Sequence, residues 1–223
     1  MDKEVGLPAK QIMPLEEAQK KRNALLAQKV IRGLESRNMH AYYAETVADG
    51  VKQALALIPE SSVVTMGGST SVRQSGLVEK LKQGNYTFID RDEYEDREEA
   101  HHLAYTADWY LTSCNAVTDD GVMVNIDGNG NRVSAMAYGP EHVLYLVSLD
   151  KVCKGLEAAV DRAENRVAPV VAGEYGVKTP CTATGLCSHC KSLETRCCQI
   201  LITRFSRYPD RAHVILVNES LGL

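Results

Sequence analysis

The sequence has no apolar run long enough for a signal peptide or a membrane span, no block of basic residues, no internal repeat and no low-complexity tract. The first absence leaves a polar opening stretch, residues 1–10, and the expectation of a cytoplasmic protein with no membrane partner. With 25 basic and 29 acidic side chains the net charge is -4, so nothing here tracks a phosphate backbone and nucleic acid is excluded as an expected partner. A disulfide framework is missing as well. The seven cysteines are odd in number and five of them crowd between Cys181 and Cys198, where metal binding or thiol chemistry explains them better than spread pairs. What remains is ordinary for a globular chain: 44% apolar and 24% charged residues over 223 positions, enough for one α/β domain with an extra arm.

Periodicity gives the order of elements. Apolar residues at Leu15, Ala18, Leu25, Leu26, Val30 and Leu34 recur at helical spacing between Lys20, Lys21, Arg22 and Lys29, which predicts an amphipathic helix. A second helix is expected over 44–58, stopped by Pro59. Residues 1–58 therefore read as an N-terminal helical arm, packed on its own sheet or across a homodimer, and 59–223 as the core. Strands are expected at 62–66, 86–90, 109–113, 122–126, 142–148, 200–205 and 214–218. Helices are expected from Val72 through Leu81 with an end at Gly84, and over 93–105, 132–138 and 156–167. Such alternation predicts a mainly parallel sheet covered on both faces.

After the first core strand comes Gly67-Gly68-Ser69-Thr70-Ser71. Paired glycines let a backbone turn sharply and approach a ligand, and the hydroxyls either cap the next helix or donate to a phosphate or carboxylate. Both readings stand: a capped turn or an anion cradle. The segment around 125–132 concentrates Asn125, Asp127, Gly128, Asn129, Gly130, Asn131 and Arg132, more donors and acceptors than a connector needs. Arg132 is a candidate fork for an anion and Asp127 a candidate general acid or base, against the plainer reading of an Asx-stabilised turn in which the two neutralise each other. Lys151, after the strand 142–148, is a third catalytic candidate for the same sheet edge.

Cys181, Cys187 and Cys190, with Cys197 or its neighbour Cys198, are separated by five, two and six residues. Thiolates at such spacing reach a common centre, so zinc as a loop clip and an iron–sulfur cluster as an electron carrier are both open, with reduced surface thiols as the third reading. His189 is an alternative ligand. Cys114 and Cys153 read as core thiols. His101 and His102 point about 100° apart on a helix, too far to chelate together, and read as surface residues. Trp109 and the tyrosines at 42, 43, 105 and 110 read as core or interface aromatics.

Met66-Gly67-Gly68-Ser69-Thr70, the string from Asn125 through Val133, and Pro180-Cys181 with Cys187 and Cys190 together resemble the LUD (lactate utilisation) domain family, from about residue 15 onward. The resemblance implies a Rossmann-like three-layer sandwich of the kind shared by ribose-5-phosphate isomerases, glucosamine-6-phosphate deaminases and coenzyme A transferases. In those relatives a Gly/Ser/Thr loop grips the substrate's phosphate or cofactor, but their catalytic carboxylate and histidine sets have no match here, and fold analogy supplies no reaction. Family members are linked to operons oxidising lactate beside iron–sulfur and flavin proteins. Two expectations follow: a protein binding a small phosphorylated, carboxylated or coenzyme A-linked metabolite, or a non-catalytic redox partner of an oxidoreductase assembly.

Overall fold

The computed structural model of the chain describes residues 13–223; the polar stretch 1–10 and the opening of the expected arm lie outside them. Helix α1 (Leu15–Glu35) buries Ala27, Val30 and Leu34 on the sheet, while Leu15 at its start and Leu25 at its middle face solvent. The strand β1 (His40–Ala44) follows, a turn the sequence did not disclose, and α2 (Val47–Leu57) is capped by Thr46, whose hydroxyl accepts from the Asp49 amide at 3.1 Å. Pro59 forces Ile58 out of helical geometry and ends α2 as expected.

Next come β2 (Val63–Met66), α3 (Thr70–Gln74) and α4 (Leu77–Gln83). The single helix expected from Val72 to Gly84 ends at Gly84 but is broken at Gly76, whose φ of 77° is left-handed and leaves α3 only five residues long. Then follow β3 (Thr87–Ile89), α5 (Arg97–Leu103), β4 (Trp109–Thr112), β5 (Ala116–Thr118), β6 (Met123–Asp127), α6 (Asn131–Ala137) and β7 (His142–Ser148). The chain continues through β8 (Val152–Cys153), α7 (Gly155–Arg162), α8 (Ala168–Glu174), α9 (Pro180–Thr184), β9 (Gln199–Thr203) and β10 (Ala212–Val217). A π turn, Ala163–Val167, joins α7 to α8. Pro169 has no amide to donate and its ring crowds the preceding turn; the widened π geometry carries the helix past it, beyond the expected end at Val167.

Six strands form one parallel sheet in the order β1-β10-β7-β4-β2-β3. Parity sorts their side chains: Val143, Tyr145 and Val147 of β7 join the core beneath α1 and α6, and Leu144 and Leu146 the core beneath α2 and α4. The result is a mixed α/β protein with a mostly parallel central sheet flanked by helices. Because β1 pairs with β10, the sheet reaches into the segment expected as a helical arm, and only α1 stands outside the strand–helix succession. A second sheet, β8-β5-β6-β9, is largely antiparallel and carries β9, which the alternation alone had assigned to the parallel core.

Candidate functional site

β2 has β3 on one side and β4 on the other, so the chain changes winding direction at β2 and a crevice opens beyond the carboxyl ends of these strands. A cavity of about 410 Å³ lies there. Its wall includes Gly68, Ser69, Thr70 and Ser71 after β2, Arg91 after β3, Ser113 and Cys114 after β4, and Lys151 after β7; Asp127, Asn129, Asn131 and Arg132 close it from the second sheet. The two loops singled out in the sequence thus meet: a methyl group on Gly67 would sit 3.1 Å from Arg132 Cγ and 2.2 Å from the Tyr110 hydroxyl, so no larger residue fits there.

Lys151 is 3% exposed. Its ammonium donates to Ser71 Oγ at 2.8 Å and Ser113 Oγ at 3.1 Å, and among the described residues no carboxylate pairs with it. Burial pulls its pKa down to about 8, with the thiol of Cys114 acting the other way and Arg162 and Arg132 in the same direction. Burial likewise pushes the Cys114 thiol up to about 11, leaving it neutral. Ser71 Oγ also reaches the Leu221 carbonyl at 3.4 Å.

The Asn-rich turn is more heavily self-bonded than its composition implied. Asp127 Oδ1 accepts from the amides of Asn129 (3.0 Å) and Gly130 (2.8 Å), and Oδ2 faces Arg132 Nε at 3.6 Å, so this carboxylate holds the turn that starts α6. Arg132 donates to Asn125 Oδ1 (2.8 Å) and the Ile126 carbonyl (2.5 Å), bracing β6 against α6. Gly130, with φ 85°, supplies the left-handed step into α6, and Asn131 Nδ2 lies 3.1 Å from Nε2 of His101, which is half-buried rather than at the surface. Burial first, then the charges of Arg91 and Arg97, lower the His101 pKa. Ser69 is the cap of α3, accepting from the Val72 amide at 3.4 Å, and a helix of five residues has little dipole to offer an anion.

Positive charge at the cavity comes instead from side chains that the sequence reading passed over. Arg91 lies against Gly68, where an added methyl would meet its guanidinium at 3.0 Å, and its Nε is buried without a hydrogen-bond partner, 3.7 Å from Asp92. Arg196 stacks over Tyr175 at 4.3 Å with its Nε also unpartnered, and Asn125 Nδ2 is a third buried donor in this state. Arg91 was findable, since it directly follows an expected strand at the carboxyl edge. Arg196, between cysteines, carries no such signal.

Beside this site is a second cavity of about 270 Å³, sharing Ile126, Ala168 and Arg196 with the first. Cys181, Cys187, Cys190 and Cys197 all line it; Cys198 does not. Burial first, then the neighbouring thiols, push Cys197 up to about 11. Of the remaining two cysteines, Cys114 is buried in the core and Cys153 is half-buried beside α7.

A parallel sheet with helices on both faces and a ligand-sized hollow at its carboxyl edge defines the open-sheet α/β class, which takes ligands at this crevice. Within that class the LUD domain model matches residues 27–217, and the chain belongs to the LUD domain family. Among solved structures it is similar to the crystal structure of a DUF162 family protein from Deinococcus radiodurans. The two are 14% identical with a TM-score of 0.54 over 87% of this chain and 98% of that one, a likeness of fold. No curated protein matches the chain. Among the described residues no helix is long and apolar enough to cross a membrane.

Proposed function

We propose that the cavity at the carboxyl edge of the central sheet binds a small organic anion, a carboxylate or phosphate ester, between Lys151, Arg91 and Arg196. One observation carries the reading: Lys151 keeps a buried amine at the wall of a 410 Å³ hollow, hydrogen-bonded to two serine hydroxyls and ion-paired with no carboxylate among the described residues. Burying an ammonium without a counter-ion is costly, and an anionic ligand completes the site. The Nε atoms of Arg91 and Arg196, buried without a hydrogen-bond acceptor, support the same polarity. Gly67 and Gly68 then serve as a close-packed floor, Ser69, Thr70 and Ser71 as hydroxyl donors, and Arg132, Asp127, Asn125, Asn129, Gly130 and Asn131 as the frame of the wall. Any proton transfer falls to Lys151, whose amine is free from about pH 8 upward, since Asp127 is committed to its turn.

Membership of the LUD family and the winding change at β2 support a hydroxy- or keto-acid of lactate utilisation as ligand, and kinship with the sugar-phosphate isomerase and coenzyme A transferase fold. Calorimetric titration of the full chain at pH 7 with lactate, pyruvate, inorganic phosphate and acetyl-coenzyme A tests this. At least one is expected to bind, with affinity falling about 10- to 100-fold in Lys151→Met, the worth of one charged hydrogen bond. Absence of binding in all four arms, or binding indifferent to both Lys151→Met and Arg196→Ala, overturns it.

A further inference from the structure

We propose that Cys181, Cys187, Cys190 and Cys197 hold one iron–sulfur cluster of the four-iron class in the smaller cavity. The donor set is the first argument: four thiols face one hollow of about 270 Å³, closed by Ile126, Ala168, Ala172 and Ile200, while Cys198 turns its thiol to the Thr195 carbonyl at 3.8 Å. The local backbone is shaped to deliver them. Pro180 starts α9 and places Cys181 in its first turn; Gly185, at φ 78°, ends that helix and sends the chain back toward Cys187. His189, at φ 48°, is a left-handed non-glycine residue inside Cys187-Ser188-His189-Cys190, and its amide donates to Cys187 Sγ at 3.4 Å. The hydroxyl of Thr179, itself buried, lies 3.2 Å from Cys181 Sγ, and the Cys190 thiol donates to the Thr195 hydroxyl at 3.8 Å. A hydrogen bond to sulfur such as that from the His189 amide stabilises a metal-bound thiolate.

The size of the hollow then separates one ion from a cluster. A zinc ion with bonds of about 2.3 Å draws its four sulfurs to about 3.8 Å of one another and leaves no room between them. Here the four thiols border a single void of about 270 Å³. A polynuclear cluster places iron and sulfide between its thiolates and suits a hollow of that size. Glu164, which lines the cavity 3.9 Å from His189, is paired there and is not needed as a ligand.

The test is anaerobic purification of the full chain with iron, zinc and acid-labile sulfide analysis, absorbance near about 400 nm, and electron paramagnetic resonance after dithionite reduction. About four irons and four sulfides per chain are expected, lost in Cys187→Ser, Cys190→Ser, Cys181→Ser and Cys197→Ser and retained in Cys198→Ser. Zinc at one per chain, no metal at all, or iron that survives Cys190→Ser overturns the proposal. Should the serine variants fail to fold, alkylation and peptide mapping of the native chain decides: those four thiols are protected and Cys198 reacts, or the cluster is not there.

Discussion

The two edges of the central sheet are both polar, and only one is a candidate site. At the amino edge His40, His142 and His213 gather with Trp109: Trp109 stacks on His142 at 4.4 Å and His40 on His213 at 5.0 Å. Each of the three histidines has a partner in Asp210. His142 Nδ1 and His213 Nε2 meet the Asp210 carbonyl at 2.7 and 2.9 Å, and His40 Nε2 meets the Asp210 carboxylate at 3.1 Å. At the carboxyl edge the polar groups surround a hollow, and Arg91 and Arg196 on its wall keep buried donors with no hydrogen-bond acceptor. Buried polarity is thus a poor marker of function by itself, whereas unmet hydrogen-bonding capacity around an open volume is a good one.

The sharpest way to break this contrast is to remove the buried amine. Lys151 has a pKa near 8 in the fold and 10.5 as its ordinary value, so below pH 8 both folded and unfolded chains are protonated and the fold bears the whole cost of the buried charge. As pH rises from 8 to 10.5 the unfolded chain holds the extra proton, and stability recovers by on the order of 3 kcal/mol. Lys151→Met is expected to be more stable than the native chain at pH 7 and to lose that advantage by pH 10.5, read as the difference between their urea midpoints. Equal midpoints at every pH would mean that the amine is solvated and the carboxyl edge no different from any surface.

Next in size is the floor of the cavity. A methyl on Gly67 would lie 2.2 Å from the hydroxyl of Tyr110, a buried ring with little freedom to retreat. Gly67→Ala is expected to cost about 2 kcal/mol in thermal or urea unfolding, the usual cost of overpacking. Tyr110→Phe removes the obstructing oxygen and should recover most of that loss in the double variant. Additive losses would show that Gly67 is required for its backbone and not for the space it leaves.

How far the sequence foretold all this depends on the element. The parallel core was legible because β2, β4 and β7 are continuous apolar runs between helical periods, and the loops at Gly67 and Asn125 announced themselves by composition. β1 was hidden because His-Ala-Tyr-Tyr-Ala has neither a β-branched run nor alternation, and its strand state comes from pairing with β10. The helix through Pro169 was hidden because proline ordinarily ends helices, and only a π turn carries the chain past it. At the site, residue types were readable but allegiance stayed open: the sequence allows Arg132 and Asp127 either as ligand groups or as partners in an Asx-stabilised turn, and in the structure they face each other and their own turn. Which arginine has a spare donor is a tertiary fact, so Arg91 and Arg196 emerged only in three dimensions.

That allegiance can be tested at Asp127, with a smaller expected effect. Asp127→Ala removes the acceptor for the Asn129 and Gly130 amides and should cost about 1 to 2 kcal/mol, as loss of a comparable cap does. Asp127→Asn keeps an oxygen in place and should recover most of it, with anion affinity at Lys151 little changed. A stable Asp127→Asn chain that no longer binds anions would move Asp127 from the frame into the binding machinery.

The smallest effect belongs to the amino edge, and it sharpens the comparison because it occupies another pH window. Burial lowers the His213 pKa below its ordinary 6.5, the nearby imidazoles of His40 and His142 lower it further, and the Asp210 carbonyl and carboxylate act in the opposite sense. Tyr42 and Trp109 complete its surroundings. As pH falls below 6.5 the unfolded chain takes up a proton that folded His213 resists, so stability declines on acidification; the sign is that of Lys151, displaced from the alkaline to the acid side. His213→Asn is expected to flatten the decline between pH 7 and pH 5 relative to the native chain, measured by urea midpoints, while anion affinity at pH 7 stays within about twofold. His101 titrates in the same window, and subtracting the native curve removes its contribution. Loss of anion binding in His213→Asn would show that the two edges are coupled through the sheet, and that the filled edge is part of the site after all.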